Sequence, residues 1–471
     1  MSEERAAMKD NSNPWYVGWS NCNPVLANIL RQHYTKPYFL PSNSESSRID
    51  WIFMGVPGYG AHLHVITNIH LRDVANEKRL FSTTSGRCLQ FTSQHEEMKT
   101  TVRKIVEKDV NPFVDQWEKE GMFDAHLVFK KFGNAGLLGI TRDPEYNGSG
   151  LDYSFTVAMY EELGYQVNAG GIITGIGVQT DMAIPALVNF GSDELKRQFL
   201  APSLSGDFVA CVGISEPEGG SDVAAIKTTA KRDGDDYIIN GGKMWISNGY
   251  QADWMCVLCN TSEGKPHKNK SLICLPLNTP GVTKARRIPK MGHLCSDTAQ
   301  LFFDNVRVPV KYRIGEEGMG FTYQMMQFQD ERMVAAISTI GGLDRMIDST
   351  IEYCKQRKAF GQQIINYQSI HFKLAELRSE VELLRSLVYR TADKMMEGEN
   401  VTYLASIAKL KSARLLRIVS DSCLQYWGAM GYSDETLISR AYRDARLMSI
   451  AGGTDEIMLG IIAKFMNILP K

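Results

Sequence analysis

The chain has almost no excess of charge of either sign: 52 Lys and Arg stand against 53 Asp and Glu, a formal charge of -1. That balance excludes a special attraction for nucleic acid or an anionic membrane. No uninterrupted apolar run approaches the roughly 18 residues that a transmembrane helix requires, so a soluble protein is expected. Cysteine is sparse, nine in 471 residues without a dense framework, which argues against a secreted disulfide scaffold. The one C-x-x-C, Cys256 and Cys259, has no second pair to complete a zinc site. Its segment reads instead as a buried strand, where residues three apart point to opposite faces. No metal is expected. An acid-poor, Arg-rich mitochondrial leader is not expected at the start, since Met1-Ser2-Glu3-Glu4-Arg5 carries acid at once. A stretch of that flavour occurs only internally, from Lys78 to Arg87. It is either a basic linker or a former presequence with an N-terminus joined upstream.

What is present is an ordinary globular composition, 44% apolar and 22% charged, over a length that suggests two to four domains. Residues 1–87 are rich in Asn, Pro, Gly, His and aromatics and show no sustained helical period. From about residue 90, apolar residues recur at three- and four-residue spacing, which predicts helices. Further such stretches lie near 124–138, 152–164, 178–190 and 193–205. Over residues 208–314 the period falls to two, with a hairpin expected at Asp233-Gly234-Asp235. Beyond residue 320, long helices are expected near 320–356, 366–396, 401–430 and 435–467. The layout predicts an α+β fold: an appended segment 1–87, a helical domain 88–207, a β domain 208–314 and a helical bundle 315–471.

Two Gly-rich motifs carry chemistry. In Cys211-Val212-Gly213-Ile214-Ser215-Glu216-Pro217-Glu218-Gly219-Gly220-Ser221-Asp222, a strand runs into Pro and paired glycines. Such backbone can approach a ligand closely and present its N–H groups. In Gly241-Gly242-Lys243-Met244-Trp245-Ile246-Ser247-Asn248-Gly249, a planar indole and a hydroxyl two residues on can wall a flat ring. Taken singly, a tight turn and a core Trp explain them as well.

Together they resemble the flavin-binding signatures of the acyl-CoA dehydrogenase family. Three later motifs follow in family order: Arg357-Lys358-Ala359-Phe360-Gly361, Gln425-Tyr426-Trp427-Gly428 and Ala451-Gly452-Gly453-Thr454-Asp455-Glu456. The likeness spans about residues 90–470. It implies the family's three-domain fold, FAD as cofactor and an acyl-CoA substrate. It further implies electron-transferring flavoprotein as acceptor, a homotetramer and a mitochondrial matrix address, although the acidic start leaves the cytoplasm open. By position, Ser215, Gly220, Ser221, Trp245 and Ser247 are expected at the flavin, with Thr454 and Glu456. Arg357, Phe360, Gln425 and Gly428 match residues that reach the FAD of a neighbouring subunit. Ser221, Gln329, Arg332 and Gly453 are expected to meet the substrate.

The family's commonest catalytic base is a Glu immediately before the Gly-Thr of the last motif, and here that position is Gly452. Long-chain and isovaleryl-type members resemble this chain in lacking it, and they place the acid on an earlier helix. Glu331, in Gln329-Asp330-Glu331-Arg332, falls on that position and is expected to take the α proton while the β hydrogen goes to FAD. Asp330 is its rival, since adjacent helical residues face ~100° apart and only one can aim at a substrate. The Gly452 N–H is expected to hydrogen-bond the thioester oxygen.

Two other readings compete. One is a flavin- or acyl-CoA-binding protein that sequesters thioesters without oxidising them. The other is an iron oxygenase, because residues 50–65 resemble a stretch of JmjC-type cupins. There a His-x-Asp pair ligates iron, but here His64-Val65 is followed by Ile66. Without the carboxylate a facial triad fails, which makes the segment a remnant or appended fragment.

Overall fold

The computed structural model describes residues 89–470 and the backbone of three short strands before them. Those strands, β1 (Pro37–Leu40), β2 (Trp51–Met54) and β3 (His62–Val65), pair antiparallel in the order β1-β2-β3, with Ile52 opposite His64. They belong to a unit separate from residues 87–471. The rest of the cupin-like stretch and the internal basic stretch 78–87 lie outside the described residues.

The larger unit begins with helices α1 (Ser93–Ile105), α2 (Val114–Glu120), α3 (Ala125–Asn134), α4 (Tyr153–Gln166) and α5 (Gly170–Gly177). A wide helical turn, Val178–Ala183, continues α5. The stretch Gly170–Phe190 is, by length and composition, apolar enough to cross a membrane, but most of it is buried inside the protein. Gln179, Thr180 and Asp181 interrupt its apolar run, and all three are buried and hydrogen-bonded.

Strands β4 (Ala210–Gly213), β5 (Thr229–Asp233), β6 (Asp236–Ser247), β7 (Trp254–Asn260), β8 (Lys270–Pro276), β9 (Val282–Arg287), β10 (Thr298–Pro309) and β11 (Arg313–Ile314) form one sheet. Its order is β11-β8-β7-β5-β6-β10-β9, with β4 parallel to β7. The hairpin at residues 233–236 forms with Gly234 at φ +61°, the left-handed backbone such a turn requires. Strand β7 is buried on both faces: Cys256 packs into one core and Cys259 into another.

The last third is helical: α6 (Gly320–Gln356), α7 (Gln368–Met396), α8 (Thr402–Trp427), α9 (Leu437–Ala445) and α10 (Asp455–Phe465). Helix α6 buries Met333, Val334, Ile337, Ile340, Leu343 and Ile347 at helical spacing. It crosses α4 at backbone contact. A Cβ on Gly164 would stand 2.3 Å from the Ser338 carbonyl oxygen, and one on Gly341 2.0 Å from that of Glu161. These two glycines fix the height of α6 against the N-terminal helices. The single helix expected near 435–467 is instead two. Gly452 at φ +64° and Gly453 at φ +89° leave the helical region, and Thr454 caps α10 by accepting the Ile457 N–H at 3.2 Å.

Candidate active site

The first Gly-rich motif leaves β4 and folds back on itself, with Glu216 and Gly219 exchanging backbone hydrogen bonds at 2.8 and 3.1 Å. It is pinned to β6 by the Met244 N–H, which donates to the Ser215 carbonyl at 2.9 Å. A buried ion pair, Lys243 Nζ to Glu216 Oε1 at 2.8 Å, locks the same junction. Glu216 also accepts the N–H groups of Lys227 (2.6 Å) and Thr228 (3.0 Å). Burial pushes its pKa up, but the Lys243 ammonium and these donors outweigh that and hold it below the usual carboxylate range.

On β6, two residues, Met244 and Trp245, stand against the single Gln300 of β10, because pairing jumps from Lys243–Leu301 to Ile246–Ala299. This bulge puts Trp245 at φ +67°, a costly conformation for a bulky residue, and leaves the residue 56% exposed. Strain of this kind clusters at ligand sites. Ser221 is exposed, and a Cβ on Gly220 would meet no atom within 4 Å. An open indole face beside a Gly-rich, hydroxyl-bearing loop suits a flat ring carrying a phosphorylated arm, so these residues fit FAD.

Glu331 lies where α6, α8 and the 451–454 turn meet. A Cβ built on Gly452 would stand 3.2 Å from Glu331 Oε1 and 3.9 Å from Lys409 Cε. Glu331 therefore fills the space beside Gly452 that a side chain there would enter. Burial raises its pKa to about 7, against the pull of Arg332 and Lys409. Asp330 turns elsewhere. Burial and then Asp181 raise its pKa to about 6, while Arg142 opposes them. Asp181 in turn accepts the Tyr160 hydroxyl at 2.7 Å. Arg332 is buried, and its Nε has no hydrogen-bond partner among the described residues. Gln329 is tied back to α8, accepting the Thr402 hydroxyl at 3.1 Å.

The motifs expected at a neighbour's cofactor sit apart from Glu331. Arg357 ends α6, and Lys358 and Ala359 pair with Gln363 and Gln362 around a turn of Phe360 (φ +51°) and Gly361 (φ +82°). Phe360 is 98% exposed at its tip. Gln425 and Gly428 end α8, where Gly428 adopts φ +59°, ψ −137°, a conformation essentially reserved for glycine. Tyr353 stacks on Trp427 at 4.3 Å and joins the two motifs. Along α6, Arg357 lies 26 residues beyond Glu331, roughly 39 Å at 1.5 Å per residue. Thr454 and the exposed Glu456 open α10, directly after the turn at Gly452 and Gly453.

Sequence reasoning missed three of these groups. Glu216 and Lys243 sat inside the quoted motifs without a role. Lys243 shares the inward phase of Tyr237 and Ile239 on β6, a readable sign that its charge is buried. Lys409 follows Ala405 and Ala408 and precedes Ser412 on the buried stripe of α8, an equally readable sign.

The comparisons bear on the family and the fold. Residues 92–207, 211–306 and 318–467 match the N-terminal, middle and C-terminal domain models of acyl-CoA dehydrogenases. The long-chain specific acyl-CoA dehydrogenase of Rattus norvegicus mitochondria is 35% identical over 380 residues, 79% of this chain and 86% of that protein. The short-chain specific enzyme of the same organism is 34% identical over 376 residues, 80% and 90% of the two chains. An acyl-CoA dehydrogenase structure from Geobacillus kaustophilus superposes with a TM-score of 0.77 at 36% identity, covering 80% of this chain and 99% of that one. Butyryl-CoA dehydrogenase from Megasphaera elsdenii gives 0.77 at 30% identity with the same coverage. With the family's three domains matched in order and relatives about a third identical across four-fifths of its length, this chain belongs to the FAD-dependent acyl-CoA dehydrogenases.

Proposed function

We propose that Glu331 is the base that takes the α proton of an acyl-CoA thioester, in an α,β-dehydrogenation that yields the trans-2-enoyl-CoA. The observation that carries this reading is the 3.2 Å between Glu331 Oε1 and the position of a Cβ on Gly452. The carboxylate arrives from α6 at the place where most of the family brings one from the turn. A pKa raised to about 7 by burial suits the role, since a general base works best with a pKa near the working pH. When bound, FAD supplies the acceptor for the β hydrogen and its electron pair.

The chain's own groups divide the remaining work. The Gly452 N–H faces the oxygen of the thioester as enolate character builds, a preorganised donor typically worth ~3 kcal/mol. Arg332, buried with its Nε unpartnered among the described residues, offers a charged donor to the CoA portion. The Gln329 carbonyl oxygen accepts from Thr402, which leaves its amide N–H groups for substrate, with Ser221 and Gly453 alongside. Ser215, Gly220, Ser221, Trp245, Ser247, Thr454 and Glu456 hold FAD in one subunit. Arg357, roughly 39 Å along α6 from Glu331, serves the FAD of a neighbour in a homotetramer, together with Phe360, Gln425 and Gly428. Placing the base on α6 favours long-chain or branched acyl groups, in fatty acid β-oxidation or branched acyl-CoA catabolism, with electron-transferring flavoprotein as acceptor. Residues 1–87 are an appendage outside this chemistry, since His64 lacks its carboxylate partner.

Anaerobic mixing with acyl-CoAs from short to long and branched tests the reading. The enzyme bleaches the oxidised flavin absorbance with at least one of them, whereas a protein that only sequesters thioesters leaves it unchanged. Glu331→Gln should keep FAD and acyl-CoA binding yet stop the bleaching. Normal flavin reduction in that variant removes Glu331 from the role.

A further inference from the structure

Lys409 is a lysine with no exposed surface, on a helix face otherwise built of Ala405, Ala408, Ser412 and Ala413. Burying an ammonium costs several kcal/mol unless it is paired, and a methionine of similar length would pack there without that cost. Yet no carboxylate lies within salt-bridge distance of it among the described residues. Its one hydrogen bond there goes to the carbonyl oxygen of Gly453. Its Cε lies 3.9 Å from the position of a Cβ on Gly452. The charge is thus directed at a two-glycine turn whose residues, at φ +64° and +89°, carry no side chain of their own.

We propose that Lys409 is a positioning residue for the reaction, clamping the 451–454 turn through the Gly453 carbonyl so that the Gly452 N–H and the Glu331 carboxylate keep their mutual aim. The inference rests on the reading of Glu331 as the base. Glycine gives the turn room for a carboxylate from α6, but glycine also leaves a peptide free to rotate. A rotation would swing the Gly452 N–H off the thioester oxygen. The ammonium donates to the next carbonyl and removes that freedom.

The electrostatics agree. Burial lowers the Lys409 pKa to about 8, opposed by Asp455, Glu331 and Glu456, while Arg332 adds to the lowering. Asp455 is already engaged, with Arg414 at 3.3 Å and Arg417 at 4.0 Å. Glu331 faces two cations, Arg332 on its own helix and Lys409 on α8, and both favour its ionised form.

Two arms test the proposal. The first uses the Glu331→Gln holoprotein, in which bound acyl-CoA stays intact. It compares affinity for a thioester with affinity for its thioether analogue, which lacks the carbonyl. Adding Lys409→Met should reduce the preference for the thioester three- to tenfold, the range of one hydrogen bond, and leave thioether binding unchanged. The second measures anaerobic flavin reduction in otherwise unmutated protein. Lys409→Met should lower kcat with little change in KM and move the acid limb of the pH profile upward. Lys409→Arg should restore the limb. A Lys409→Met protein that retains FAD, keeps the thioester preference and keeps its pH limb overturns the proposal. So does failure of both Lys409→Met and Lys409→Gln to hold FAD, since Lys409 would then be needed for folding alone. If Glu331→Gln itself reduces flavin normally, the reading of the base falls instead. The two failures are therefore distinct.

Discussion

Glu331 and Gly452 share one space: the carboxylate oxygen of the first ends 3.2 Å from where a β carbon of the second would stand. Either position can fill the gap, but not both at once. Gly452→Ala should push the carboxylate aside by a few tenths of an ångström and also strain a backbone at φ +64°. Flavin reduction should fall roughly 10- to 100-fold, in line with the cost of a misplaced catalytic group, with FAD content intact. Gly452→Glu combined with Glu331→Gly should recover part of that rate, because the carboxylate then enters from the turn. Anaerobic stopped-flow absorbance reads both variants. A double variant no faster than Glu331→Gly alone would refute the shared space.

The pH dependence follows from burial. Glu331 titrates at about 7, raised mainly by desolvation, and only its ionised form takes a proton. The kcat/KM of flavin reduction should therefore rise with pH through about 7, since that ratio reports groups of the free enzyme. A limb near the ordinary carboxylate value would mean that a solvated acid does the work.

The same shift makes Glu331 a liability for stability. A carboxyl whose pKa rises on folding binds more protons folded than unfolded, so stability falls as pH rises from about 4.5 to about 7. Above that window the charge is fully present, at about 3 kcal/mol. Glu331→Gln should therefore raise the thermal midpoint at pH 8, and the two proteins should converge below about pH 5. A Gln variant less stable at pH 8 would contradict the burial.

Much of this was legible in the sequence, and the exceptions have physical reasons. Period two through β6 and β10 and period 3.6 along α6 placed the layers, since burial follows side-chain direction. The paired glycines at 452–453 were read as a motif, yet the helix was carried through them, because apolar spacing alone does not register a positive φ. The bulge at Trp245 was invisible for a different reason: it depends on how β10 pairs, a non-local fact. The departure from Glu at position 452 was read, while the buried cation that stands beside it was passed over although its place on the Ala405, Ala408 and Ser412 stripe marked it. Lysine on a helix is ordinarily read as solvent-facing.

The Glu216–Lys243 pair offers a stability test at the flavin loop. Removing one partner of a buried pair leaves an uncompensated charge, at about 3–5 kcal/mol, whereas removing both is often near neutral. Lys243→Met should release the Ser215 loop from β6, with loss of FAD and a lower thermal midpoint. Adding Glu216→Gln should restore much of the midpoint. A double variant as unstable as Lys243→Met would mean that the lysine matters through its bond to the Ile214 carbonyl, at 3.1 Å, rather than through the pair.

The tip of the residue 358–363 hairpin carries a large aromatic ring, 98% exposed, in a left-handed backbone conformation at φ +51°. Both features cost free energy in an isolated subunit. Asn is the favoured first residue of such a two-residue turn when Gly follows, and left-handed backbone costs other residues roughly 1–2 kcal/mol. Judged on one subunit, Phe360→Asn should thus be neutral or stabilising. If the ring meets a neighbour's FAD, the same substitution should weaken FAD retention and make the assembly dissociate at higher protein concentration. Dilution series by size-exclusion chromatography, with the flavin-to-protein absorbance ratio across the peak, separate these outcomes. A Phe360→Asn protein that keeps both its flavin and its assembly on dilution shows that the tip serves neither.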